Sequence, residues 1–181
     1  MKSFSQANQS AKEYKLDTSH SSVEFSIKHM MISTVKGNFR NFESQISFES
    51  ISKIFNSLKA SVDASSIDTG NDARDNHLRS ADFFEVETYP NIDFVMSSYD
   101  DSSKTMSGEL TIKGNKKPVE LKATINGVIK DPEGNERVGF TLKGKINRKD
   151  FGLTWNKAME AGGLMVGDSV DMNIEIQMVA S

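Results

Sequence analysis

Arg74, His77 and Arg79 form the most chemically capable cluster in the chain. A guanidinium is a planar fork of donors and can hold a carboxylate or pyrophosphate head through two parallel bonds. Thr69-Gly70-Asn71 reads as a turn and helix cap, so a short helix over residues 71–84 would add free backbone N–H groups to such an anion site. Asp72 works against that by placing negative charge at the helix start, and Asp75 stands four residues before Arg79, the spacing of an ordinary helix-surface ion pair. His29 lies on the apolar face of an alternating stretch, where it either hydrogen-bonds internally or meets the polar end of a ligand. His20, His29 and His77 show none of the close spacings of metal motifs, so no metal is expected. Asp17, His20 and Ser21 or Ser22 supply the residue types of a hydrolytic triad, but neighbours on one strand point to opposite faces and cannot relay a proton. There is no Gly-x-Ser-x-Gly elbow, P-loop or dinucleotide fingerprint, so no catalytic residue is assigned and no cofactor is expected.

The rest of the chain must position these groups. Apolar and polar residues alternate along Val23, Phe25 and Ile27, then Val35, Gly37 and Phe39, then Ile46 and Phe48, and then Leu58, Ala60 and Val62. The pattern resumes in Ile92, Phe94 and Met96, in Met106, Gly108, Leu110 and Ile112, and in Val119, Leu121, Ala123 and Ile125. It ends in Val138, Phe140, Leu142 and Ile146 and in Val170, Met172, Ile174, Ile176 and Met178. A period of two means strands with one apolar face. Short connections exclude parallel crossovers, so the sheet is antiparallel. About eight such strands are expected to close into an all-β barrel, with a two-sheet sandwich as the structural alternative. Gly114 to Pro118 and Asp131 to Asn135 read as turns.

Within that frame residues 1–13 are a polar, flexible tail and residues 14–181 one barrel domain. A net charge of −3 argues against a nucleic-acid partner. No apolar run reaches the ~18 residues of a membrane span. Residues 1–10 contain no hydrophobic segment of the kind a signal peptide needs, so a cytoplasmic protein is expected. The loop from Asn147 to Gly167 holds the only tryptophan, Trp155, with Phe151, Leu153, Met159 and Leu164, and is too apolar to lie free in solvent. It is expected to plug a barrel end, braced by an Arg148–Asp150 ion pair. Gly37, Gly108 and Gly144 fall on inward faces, where they leave room for a ligand or bend the strands. Among nine methionines, Met96, Met106, Met172 and Met178 fall inward, as adaptable lining or core filler.

These pieces in order carry a resemblance: Tyr14-Lys15-Leu16-Asp17, Val23-Glu24-Phe25-Ser26-Ile27-Lys28-His29, Ser66-Ile67-Asp68-Thr69-Gly70, Arg74-Asp75-Asn76-His77-Leu78-Arg79-Ser80, Gly108-Glu109-Leu110-Thr111-Ile112-Lys113-Gly114 and Glu160-Ala161-Gly162-Gly163. From Tyr14 to Gln177 the chain resembles the YceI-like family of lipocalin-like antiparallel barrels. Asn115 departs from it, standing where the family usually has an apolar turn residue, and many of the family's members are exported. The resemblance implies a non-enzymatic, polyisoprenoid-binding protein that often pairs as a homodimer, with a quinone or a pyrophosphate as the small-molecule lipid. Val23, Phe25, Ile27, Phe39, Phe94, Met96, Leu110, Phe140 and Met172 are then expected to line the hydrocarbon chain. His29, Arg74 and His77 are expected at its polar end, and Trp155 in the loop that plugs a barrel end. The competing reading is a stress-related structural or partner-binding module whose barrel is simply filled.

Overall fold

The computed structural model describes residues 11–159 and 163–181, and residues 1–10 of the expected tail lie outside them. All eleven strands belong to one antiparallel sheet. They are β1 (Ala11–Leu16), β2 (Ser22–His29), β3 (Ser33–Phe39), β4 (Phe42–Glu49), β5 (Ile54–Asp63), β6 (Ile67–Asp68), β7 (Asn91–Asp100), β8 (Thr105–Ile112), β9 (Asn115–Lys130), β10 (Glu136–Asn147) and β11 (Val166–Ala180). Eight of them, in the order β1-β4-β5-β7-β8-β9-β10-β11, form a ring that closes where Tyr14 pairs with Ala180 and Leu16 with Met178. The other three, β2-β3-β6, form a flap on the same edge of β11.

The fork has a local cause. β11 is 15 residues long, and its edge serves β1 near Ala180 and β2 near Met172. Between them the chain kinks at Asp17, whose carboxylate accepts from Ser19 N at 3.1 Å. Ser21 Oγ accepts from Gln177 N at 3.0 Å, mending the ladder across the kink. Arg137 clamps the seam, reaching Asp17 at 3.0 Å and Asp131 at 2.8 Å.

One half of the barrel is solid. Phe55 packs against Phe48 and Phe140 with ring centroids 4.9 Å from each, and Tyr99 adds an edge contact at 5.1 Å. Val138, Met106 and Met178 fill the space around them and are fully buried. Each such side chain contributes about 1.5–3 kcal/mol. Tyr14 OH donates to Glu136, a bond that, together with burial, holds the tyrosine well above its usual pKa.

Four expectations need correction. β1 begins at Ala11, so residues 11–13 pair with β4 rather than trail as a tail. Helix α1 spans Asp72–Arg79 and stops at Ser80, whose N–H bonds His77 O, so turns rather than helix cover residues 80–84. The turn after β8 is only Lys113-Gly114, both at positive φ, and Asn115 already pairs with Ile112. That two-residue turn suits the twist of its strands and leaves Pro118 inside β9, opposite Glu109. The inward glycines serve neighbouring side chains rather than a ligand: a Cβ on Gly37 would stand 2.5 Å from the Phe25 ring, one on Gly108 2.6 Å from Phe94, and one on Gly144 2.6 Å from Leu121.

Candidate functional site

The other half of the barrel is hollow. A cavity of about 520 Å³ lies between β2, β3, β4, β5, β7, β8, β9, β10 and β11. Its size falls in the range of small-molecule pockets. Alternation turns Val23, Phe25 and Ile27 inward from β2 and Phe39 from β3. Phe94, Leu110, Phe140 and Met172 complete the wall from β7, β8, β10 and β11, with Phe140 where the hollow meets the solid half. Met96 is absent from the wall: it packs on the solid core, two residues along β7 from Phe94. The filled interior demanded by the competing reading is found in one half only.

The hollow is roofed by α1 and by the loop after β10. Asn71 caps α1 by accepting from Arg74 N at 2.9 Å. Asp75 is buried, and its carboxylate accepts from Thr69 N at 2.9 Å and Thr69 Oγ1 at 2.5 Å. Arg79 turns the other way, donating from Nε to Ser65 O at 2.8 Å and from Nη2 to Ile67 O at 3.1 Å. The expected Asp75–Arg79 pair is therefore replaced by two separate clamps on the segment entering the helix. A carboxylate or guanidinium gains more from several backbone partners in a half-buried site than from one exposed ion pair.

Arg74 and His77 reach the cavity wall from the same helix. Arg74 donates from Nε to Thr69 Oγ1 at 2.7 Å and from Nη2 to Thr69 O at 2.8 Å, and among the described residues no carboxylate lies within ion-pair distance of it. His77 donates from Nε2 to Asp82 at 2.9 Å, and its ring meets Trp155 at 4.7 Å and Phe83 at 5.1 Å, edge to face. Trp155 and Phe83 touch at 5.4 Å, so helix and loop lock through three rings. His29 lines the wall at the end of β2, where it pairs with Val166. The structure thus brings Arg74, His77 and Trp155 together in the roof and sets His29 at the rim.

Arg148 is the residue that the sequence reading misassigned. It does not pair with Asp150. It is 2% exposed and donates to the carbonyls of Leu153 at 2.5 Å, Gly167 at 2.7 Å and Trp155 at 2.9 Å. Burial pushes its guanidinium below the usual pKa, and Asp168, 3.9 Å away, opposes that shift. One side chain therefore ties the roof loop to the start of β11. An arginine just past a strand end, before an apolar loop, was the available signal. Residues 160–162, which include most of the Glu160-Ala161-Gly162-Gly163 motif, lie outside the described residues.

Elsewhere the polar clusters are structural. His20 Nδ1 faces both Asp17 at 2.9 Å and Ser19 at 3.1 Å on an exposed turn. A base needs its second nitrogen for the nucleophile, so this is not the order of a relay. Among the described residues no three His, Cys, Asp or Glu side chains gather as metal ligands, and no helix is long and apolar enough to cross a membrane.

An antiparallel eight-stranded barrel, packed at one end and hollow beneath a helix-and-loop roof at the other, defines a lipocalin-like architecture. The YceI-like domain matches residues 14–178, and the chain belongs to that family. A UPF0312 protein of Staphylococcus aureus strain MSSA476 is 42% identical over 160 residues, covering 87% of this chain and 91% of its own. The crystal structure of the Campylobacter jejuni YceI protein is 39% identical with a TM-score of 0.76, covering 86% of this chain and 90% of its own. A polyisoprenoid-binding domain from Saccharophagus degradans shares the fold at 15% identity and a TM-score of 0.69, covering 93% of this chain and 98% of its own.

Proposed function

We propose that this protein binds, without transforming, an elongated apolar lipid of the polyisoprenoid class. The chain lies in the hollow and its polar end reaches the roof at Arg74 and His77 or the rim at His29. The observation that carries the reading is an apolar hollow of about 520 Å³ in a barrel whose other half is filled. A hydrocarbon chain in an apolar space of that size gains dispersion contacts along its length. The printed description of the Saccharophagus domain supports the same class of ligand. Arg74, without a carboxylate partner among the described residues, can hold an anionic head, while His77 and His29 suit a neutral one.

Burial, at about 0.8 kcal/mol per CH₂, makes chain length the main determinant of affinity. The test has two arms. Protein purified without delipidation is extracted with organic solvent and the extract analysed by mass spectrometry. Delipidated protein is titrated with prenyl alcohols and prenyl pyrophosphates of increasing length. The expected result is a co-purifying prenyl lipid and an affinity that climbs with length until the hollow is full. Absence of binding at every length overturns the proposal.

A further inference from the structure

The hairpin joining β2 and β3 is built against ordinary turn chemistry. Its loop is Met30-Met31-Ile32, closed by Ile32 N–H on His29 O at 3.3 Å. Met30 has φ 52° and Met31 φ 66°, the left-handed region that turns normally give to Gly, Asn or Asp. The side chains are not hidden to compensate: Met30 is 40% exposed, Met31 67% and Ile32 86%. Leu164, 44% exposed and bridged to Ala158, stands next to Met165 in the segment that joins this tip. The β2–β3 tip is joined to that segment, because Met30 N–H donates to Met165 O at 2.7 Å.

The patch sits at the rim of the hollow. His29 and Met165, immediately next to the tip residues, are both part of the cavity wall. Its surroundings are basic. Lys28 bonds only the hydroxyl of Thr34, and neither it nor Lys36 nor Lys157 has a carboxylate within ion-pair distance among the described residues. Asp168, at the start of β11, is already paired with Lys149 at 3.3 Å. Exposed apolar side chains near lysines that lack a carboxylate partner among the described residues match an anionic lipid bilayer, where the first enter the acyl boundary and the second meet phosphates.

We infer that the β2–β3 tip, with Leu164, docks this protein onto an anionic bilayer and holds the rim of the hollow against the membrane. The inference is independent of which lipid fills the hollow, and its test uses delipidated protein with no prenyl ligand present. Flotation is measured with vesicles of phosphatidylcholine alone and of equal parts phosphatidylcholine and phosphatidylglycerol. Wild-type protein is expected to float with the anionic vesicles. The Met31→Ser/Ile32→Ser variant is expected to lose at least tenfold in partitioning, since two exposed side chains would no longer enter the bilayer. A Lys36→Gln/Lys157→Gln variant is expected to lose about fivefold per lysine on anionic vesicles and nothing on neutral ones. Circular dichroism and prenyl titration in solution check that both variants keep the barrel. Failure of the wild type to float overturns the inference, as does equal flotation of the serine variant. A serine variant that alters only self-association in sedimentation also overturns it and assigns the tip to a second copy.

Discussion

Replacing Arg148 with methionine isolates what holds the roof. The change keeps length and apolar bulk and removes every donor. Three carbonyls, those of Leu153, Trp155 and Gly167, lose a partner at 2.5–2.9 Å. A buried carbonyl left unpaired costs about 1–3 kcal/mol, so three would cost up to about 9 if none found water. The loop can yield locally, and the desolvation cost of the guanidinium itself is recovered, so the net loss is about 3–5 kcal/mol. At 2–4 °C per kcal/mol for a chain this size, the melting temperature falls by roughly 6–20 °C. Arg148→Lys keeps the charge but cannot fork to three carbonyls, and recovers only part of the loss. The chain carries a single tryptophan, Trp155, whose carbonyl Arg148 holds and whose ring closes the roof, so its fluorescence reports the loop directly. In the methionine variant Trp155 emission shifts red and becomes accessible to iodide at denaturant concentrations where circular dichroism still shows intact sheet. Unchanged Trp155 emission with an unchanged denaturation midpoint refutes the clamp.

Two further predictions follow from the hollow and the seam. Ala60, whose partners in register are Ser44 and Phe94, lies on the cavity wall, and Ala60→Phe puts a phenyl ring into the space. If that ring displaces about six ligand carbons, affinity for a prenyl chain falls by about 5 kcal/mol, or between roughly three and four decades, while stability holds or rises. A folded variant that binds as tightly as wild type refutes the location of the ligand. At the seam, Asp17 is held below the usual carboxylate range by Ser19, His20 and Arg137, and Asp131 by Arg137 and backbone N–H groups. The unfolded chain therefore takes up these protons first as pH falls past about 4, so the stabilisation is complete at neutral pH and is lost progressively below about pH 5. Denaturation midpoints measured across that range should fall less steeply in Asp17→Asn, and an identical acid slope would show that the seam does not carry the effect.

Much of the fold was legible because strand faces obey a local rule. Adjacent residues on a strand cannot share a face and alternate ones must, so Val138, Phe140 and Leu142 had to point together, and Phe94 and Leu110 had to follow the inward faces of their own strands. The helix start at Asn71 was legible for a similar reason, since a cap acts within three residues. Partner choice was not legible. Asp75, Arg79 and Arg148 each had a plausible charged partner nearby in sequence, and each instead took backbone groups, mostly across a turn. Met96 shows the same limit. Its face was right, but its height along the barrel placed it against the solid half.

The order of residues alone determined which side chains point inward, where the helix starts and that the sheet is antiparallel, because period, caps and turns act over a few residues. Only the tertiary structure decided that β11 shares one edge between β1 and β2, that Arg148 ties down the roof, and that the interior is filled by side chains at one end and hollow at the other. Those outcomes depend on side chains from distant strands meeting at one level. Phe48, Phe55 and Phe140 meet at the filled level, whereas at the level of the hollow the wall includes a residue as small as Ala60.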